Sequence, residues 1–161
     1  MSRPIYENSR TLAAEKSLKL DLEKAWGHRL VKNPRSYGVD WSVCEGKRII
    51  GLVEAKCRRY NVDSFDHYLV SAKKIKDAVE YSEFYRVPFV LVVRWAGVGD
   101  DPVSGDRMVR IRYSNMTSLK FEIAGRKDRN DPADYEPCAM IPSEMFTEIE
   151  EFPSMYGKPS R

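Results

Sequence analysis

The stretch of this chain with the most chemical content runs Tyr37-Gly-Val-Asp40-Trp-Ser-Val-Cys-Glu-Gly-Lys-Arg-Ile-Ile-Gly-Leu-Val-Glu54-Ala-Lys56. Side chains of an extended strand alternate between faces, so Ile50, Leu52, Glu54 and Lys56 are expected to share one. Two apolar groups are followed there by an acid and a base. A solvated face would not begin with Ile and Leu, so the pair stands at the end of a buried strand. A turn at Glu45-Gly46-Lys47 makes this strand the second arm of a hairpin, and a three-residue loop is expected to put Asp40 directly opposite Glu54. Cβ atoms so placed lie about 5 Å apart, and like charges there repel. Both carboxylates stay ionised at such a site only with a cation between them. A hard ion that prefers oxygen, Mg²⁺ with Mn²⁺ as substitute, suits Asp40, Glu54 and the backbone carbonyl of Ala55. Lys56 alongside can orient or deprotonate a water, or steady charge on a phosphorane. That combination is the chemistry of phosphodiester hydrolysis. The plainer alternative makes Glu54 and Lys56 a rim ion pair and Asp40 a partner of its own loop.

The elements that must hold these groups can be read from periodicity. Leu12, Glu15, Leu18, Leu22 and Trp26 recur at helical spacing, which predicts a helix over 9–26, capped by Asn8 or Ser9 and stopped by Gly27. A short strand over 28–32 and the hairpin strands 39–44 and 48–57 follow. A second helix is expected from a cap at Asp63 or Ser64 to about Phe84, with Phe65, Leu69, Ala72, Ile75 and Val79 as its stripe. Residues 88–95 contain Phe89-Val-Leu-Val-Val93, a continuous apolar run suited to a central strand covered on both faces. Residues 107–113 alternate, with Val109, Ile111 and Tyr113 on one face. A strand near 118–123, a polar loop over 125–138, a short helix over 143–150 and a loose tail at 157–161 complete the chain. Helices and strands in this order predict an α/β domain with one mixed sheet flanked by helices, over residues 1–156.

Composition narrows the function. The chain has 161 residues, 42% hydrophobic, which suits one core and excludes disorder. No apolar run approaches the ~20 residues of a membrane span, and the polar N-terminus lacks a signal-peptide core, so a cytoplasmic protein is expected. Cys44, Cys57 and Cys138 are expected as buried fillers. His28 and His67 are the only histidines, which argues against zinc chemistry needing several imidazoles. No organic cofactor is expected. The net charge of +3 permits a nucleic-acid partner without requiring one.

Asp40, the hairpin and Glu54-Ala55-Lys56 resemble the core motif of the PD-(D/E)xK nuclease superfamily, which includes restriction enzymes, phage exonucleases and Holliday-junction resolvases. Val39 stands where the motif has proline. The resemblance covers residues 9–95 and implies a restriction-endonuclease-like α-β-β-β-α-β core. It implies a Mg²⁺-dependent deoxyribonuclease of the resolvase-like branch, acting on DNA and, in particular, on branched recombination or replication intermediates. It also admits a homodimer. In resolvase-like members a first-helix glutamate helps hold the metal, and Glu15, on the face of Leu18, Leu22 and Trp26, matches it. Glu23 instead finds partners in Lys16 and Lys19 at helical spacing. Asp40 and Glu54 would be direct ligands, Glu15 a supporting one and Lys56 the base or charge stabiliser. Arg35, Tyr37, Arg58, Arg59 and Lys73 flank the motif as DNA contacts, with Lys74, Lys76, Arg110 and Arg112 as further cations. The solvated-surface reading covers the helix lysines too, since Asp77 and Glu80 are near. Residues 131–142 resemble small phage-encoded proteins, which implies a phage or mobile-element origin. The alternative is a nuclease-fold protein that binds nucleic acid, or serves structurally, without cutting.

Overall fold

The computed structural model describes residues 9–100, 104–125, 132 and 135–153. The basic cluster Arg126-Lys-Asp-Arg129 and the tail at 157–161 lie outside the described residues.

Helix α1 (Ser9–Trp26) has the expected bounds, and Gly27 ends it with φ of 67°. Leu18, Leu22 and Trp26 are buried, but Leu12 is 50% exposed, so the apolar stripe begins a turn later than its spacing suggests. Strands β1 (Arg29–Lys32), β2 (Trp41–Glu45) and β3 (Arg48–Arg58) form an antiparallel meander. Strand β4 (His67–Ser71) then leads straight into α2 (Ala72–Tyr85), followed by β5 (Phe89–Trp95) and β6 (Gly105–Ile111). The short helix α3 (Tyr113–Met116) precedes β7 (Lys120–Ala124), β8 (Glu136–Pro142) and β9 (Thr147–Glu148).

The main sheet has the order β1-β2-β3-β5-β6-β9, mixed through one parallel pair, β3 with β5. Phe89 to Val93 are fully buried at its centre, as a run of apolar residues requires when both faces are covered. On one face Val53, Ala55, Val90 and Val92 pack with Leu18, Leu22 and Trp26 of α1. On the other, Leu52, Phe89, Leu91 and Val93 pack with Ile75, Ala78 and Val79 of α2. A second sheet, β4-β8-β7, adds Tyr68, Val70, Ala139 and Ile141 to that second cluster.

Several expectations are corrected. The second helix begins at Ala72, not near residue 65, because Tyr68 and Val70 alternate inward and pair with β8. The Ser71 side chain accepts the Lys74 N–H and caps the helix instead of Asp63 or Ser64. Part of the expected 125–138 loop and the residues after it form β8. Residues 143–150 hold only a 3-10 turn (Ser143–Met145) and the two-residue β9, since Phe146 turns into the core.

The hairpin also differs. Glu45 pairs with Arg48, so only Gly46 and Lys47 remain in the turn. A bulge at Ile50 then shifts the register, opposing Val43 to Gly51 and Trp41 to Val53. Continued by one pair, this sets Asp40 against Glu54. The bulge, not a three-residue loop, produces that opposition; such a loop on a regular ladder would have put Leu52 there. The bulge also turns Ile50 toward the α1 cluster, so it does not share the face of Leu52, Glu54 and Lys56.

Candidate active site

Glu54 lies mid-strand in β3, opposite Leu91 of β5, with 1% of its surface exposed. An ionised carboxylate so buried must be compensated. Lys56, two residues on along the same face, and Lys74, in the first turn of α2, each place Nζ 2.7 Å from Glu54 Oε1. Glu54 Oε2 is buried and has no hydrogen-bond partner. One oxygen of this acid is therefore doubly held and the other is buried without a partner.

Asp40 precedes β2 and is half-buried. Its Oδ2 accepts the Ala55 N–H at 3.0 Å, standing in for the backbone partner that β2 no longer supplies. The N–H and C=O of one residue in a strand point to the same side. The Ala55 carbonyl therefore also faces the Asp40 side and not β5. Asp40 Oδ1 lies 3.8 Å from Lys32 Nζ, and Lys32 in turn lies 3.6 Å from Glu15 Oε2. Glu15 is thus linked to Asp40 through one shared lysine, on the α1 side of the sheet, while Glu54 faces the α2 side. Burial is the largest influence on Lys56 and opposes its charge. The charges of Glu54 and then Asp40, with the hydrogen bond to Glu54, outweigh it and hold the ammonium above its ordinary range. Lys56 is therefore a cation set between both acids.

Lysine ammoniums stand beside these carboxylates, a feature their spacing in the sequence did not indicate. Lys32, Lys56 and Lys74 offset Glu15, Asp40 and Glu54 one for one. Among the described residues no group of three His, Cys, Asp or Glu side chains is gathered to hold a metal. The donor set still suits a hard divalent cation: an orphaned oxygen on Glu54, a loosely held oxygen on Asp40 and a carbonyl turned the same way.

Among the other expected residues, Arg58 is half-buried, its guanidinium centre 5.3 Å from the ring of Tyr68. Arg59 and Arg35 are exposed. Tyr37 stacks on Tyr81 at 4.6 Å, so one ring face is spent on packing. Lys73 pairs with Asp77 of its own helix and does not reach the acids. Lys76 pairs with Glu80 at 3.0 Å. Arg110 is half-buried and Arg112 exposed, both on β6 or just beyond it. Glu23 pairs with Lys19 and also accepts the Leu30 N–H, as its position on α1 allows. Cys44, Cys57 and Cys138 are free, and burial raises the thiols of Cys57 and Cys138. Lys32 carried no signal of its own. Lys74 falls in the first turn only because α2 starts at Ala72, where a lysine opposes the helix dipole and calls for an acid partner.

An α-β-β-β-α-β core with β4 inserted, and an Asp just before β2 beside a Glu-x-Lys on β3, define a nuclease of the PD-(D/E)xK class. The sequence matches the family described as "Phage putative PDDEXK endonuclease" over residues 1–149, and the chain belongs to that family. Its fold is similar to that of Hjc, a Holliday junction resolvase from Archaeoglobus fulgidus, with a TM-score of 0.54 and 16% identity over 88% of this chain and 93% of that one. No curated protein sequence matches. No helix among the described residues is long and apolar enough to cross a membrane.

Proposed function

We propose that this chain is a divalent-metal-dependent deoxyribonuclease that hydrolyses phosphodiester bonds in branched DNA, within the cytoplasm of a host cell. The observation that carries the reading is Glu54: a carboxylate 1% exposed, held through one oxygen by two lysines, with its second oxygen unpartnered. Burying such a group for packing alone is costly, so the unpartnered oxygen has a use. Its likeness in fold to a Holliday junction resolvase supports branched substrates.

Glu54, Asp40 and the Ala55 carbonyl would hold Mg²⁺ or Mn²⁺, which supplies neutralisation of phosphoryl charge and acidification of a water. The chain's own residues do the rest. The Ala55 N–H fixes the Asp40 carboxylate through Oδ2, with Oδ1 beside Lys32. Lys56, set between both acids, offsets the charge that builds on the phosphoryl oxygens. Lys74 orients Glu54 from the α2 side. Glu15 acts through Lys32 on Asp40. Arg35, Arg58 and Arg59 contact the backbone of bound DNA.

A second reading, a nuclease fold that binds DNA without cutting it, draws on the three lysines that already neutralise the acids. The test is a panel of four-way, flapped, nicked and linear DNA with Mg²⁺ or Mn²⁺, comparing wild type, Glu54→Ala and Lys56→Ala. Cleavage by wild type, lost in both variants and on addition of EDTA, is expected. Binding by all three proteins with cleavage by none establishes the second reading.

A further inference from the structure

Among the described residues two buried side-chain polar atoms have no hydrogen-bond partner: Glu54 Oε2 and the hydroxyl of Tyr68. They lie on the same side of the main sheet. Glu54, Lys56 and Arg58 alternate along one face of β3, beside Leu91, Val93 and Trp95 of β5. Tyr68 packs on that face from β4, 4% exposed, with the Arg58 guanidinium centre 5.3 Å from its ring. Trp95 and Phe146 meet the ring edge-on at 6.0 and 6.1 Å, which holds the ring in place.

A tyrosine whose only task is to fill this space would be better replaced by phenylalanine, because a buried hydroxyl without a partner destabilises the fold. The charges around it indicate what partner it meets. Burial, as the largest influence, raises the phenol to about 12; Arg58 and Lys56 pull it down, while Tyr60 and Glu54 add to the rise, so at neutral pH it is a hydrogen-bond donor. A donor on the sheet face that carries Lys56 and Arg58, with Arg58 over its ring, is suited to an anionic oxygen.

We propose that the Tyr68 hydroxyl is a substrate-binding group of this site, donating a hydrogen bond to a non-bridging oxygen of the phosphate being cleaved. The inference rests on the nuclease reading above. No proton is transferred: the phenol stays protonated and the bond strengthens as charge builds on that oxygen.

The test compares wild type with Tyr68→Phe on a DNA that wild type cleaves, measuring kcat, KM and Tm. A kcat lowered about 10- to 100-fold is expected, with KM within about threefold. Tm should be unchanged or higher, since the substitution removes only a group without a partner in the free protein. A merely structural hydroxyl, for example one bridged through water to Glu54, gives the opposite sign: Tm falls with activity, and the inference is overturned. Unchanged kcat in an active background also overturns it and leaves the nuclease reading intact. Should wild type cut no DNA at all, the nuclease reading falls, and the role of Tyr68 falls with it.

Discussion

Lys73 and Lys74 are neighbours in sequence and unequal in chemistry. Lys73 is largely exposed and pairs with Asp77, the sort of surface ion pair worth little, whereas Lys74 reaches a carboxylate at the heart of the site. Lys74→Met is therefore expected to slow single-turnover cleavage by about 10- to 100-fold and Lys73→Met by no more than about twofold. Equal effects would mean that Lys74 serves only as surface charge. The unpartnered oxygen of Glu54 supports a second expectation, which needs no turnover. Mn²⁺ at about a hundred times its Kd stabilises a binding protein by about 2.7 kcal/mol, or about 5–10 °C in Tm at this chain length. Wild type should show that rise by scanning calorimetry and Glu54→Gln should not. A rise of the same size in both would place the ion elsewhere.

At the scale of elements, the bulge in β3 does more than bend a hairpin. It aligns Asp40 with Glu54 and turns Ile50 to the α1 side, where Phe152 lies across Gly51. A Cβ on Gly51 would come within 2.1 and 2.2 Å of Phe152 Cζ and Cε1, so glycine is needed here for space. Phe152 also meets Trp26 edge-on at 4.9 Å, and the Trp26 indole donates to the Glu150 carbonyl at 2.9 Å. The segment after β9 thus straps the end of α1 to the start of β3. Gly51→Ala should cost about 1–3 kcal/mol of stability by displacing that strap. In a Phe152→Ala background the same change should cost almost nothing, and urea denaturation of the four proteins measures the difference. Additive losses would show that Gly51 is required by its backbone and not by the ring.

At the scale of the whole molecule, one guanidinium ties the first helix to the sheet. Arg94 of β5 donates to both carboxylate oxygens of Asp106 on β6 at 2.8 and 2.7 Å. It also donates to Asp21 at 2.5 Å and Ser17 at 3.3 Å on α1. Its partners are partly exposed, so screening limits the gain, and Arg94→Met is expected to cost about 1–2 kcal/mol in urea unfolding. Because α1 also carries Glu15 toward Lys32 and Asp40, cleavage should slow with it by a few-fold, and added salt should shrink the stability difference between the two proteins. A salt-independent difference would assign the loss to packing of the arginine stem.

Local pattern was enough for much of this protein. Helical spacing from Leu18 to Trp26 and the apolar run Phe89–Val93 defined a buried helix face and a central strand, because those signals depend on side chains a few positions apart. The alternation of Glu54 and Lys56 beyond a buried stretch was likewise visible in the chain. What lay beyond reach depends on partners distant in sequence. His67–Ser71 is a strand because β8, some seventy residues on, pairs with it, and that decides where α2 begins and hence where Lys74 points. Tertiary packing alone brought Lys32, Lys74 and Tyr68 around the acids, since charge balance and burial at a site are sums over neighbours that no local stretch of chain contains.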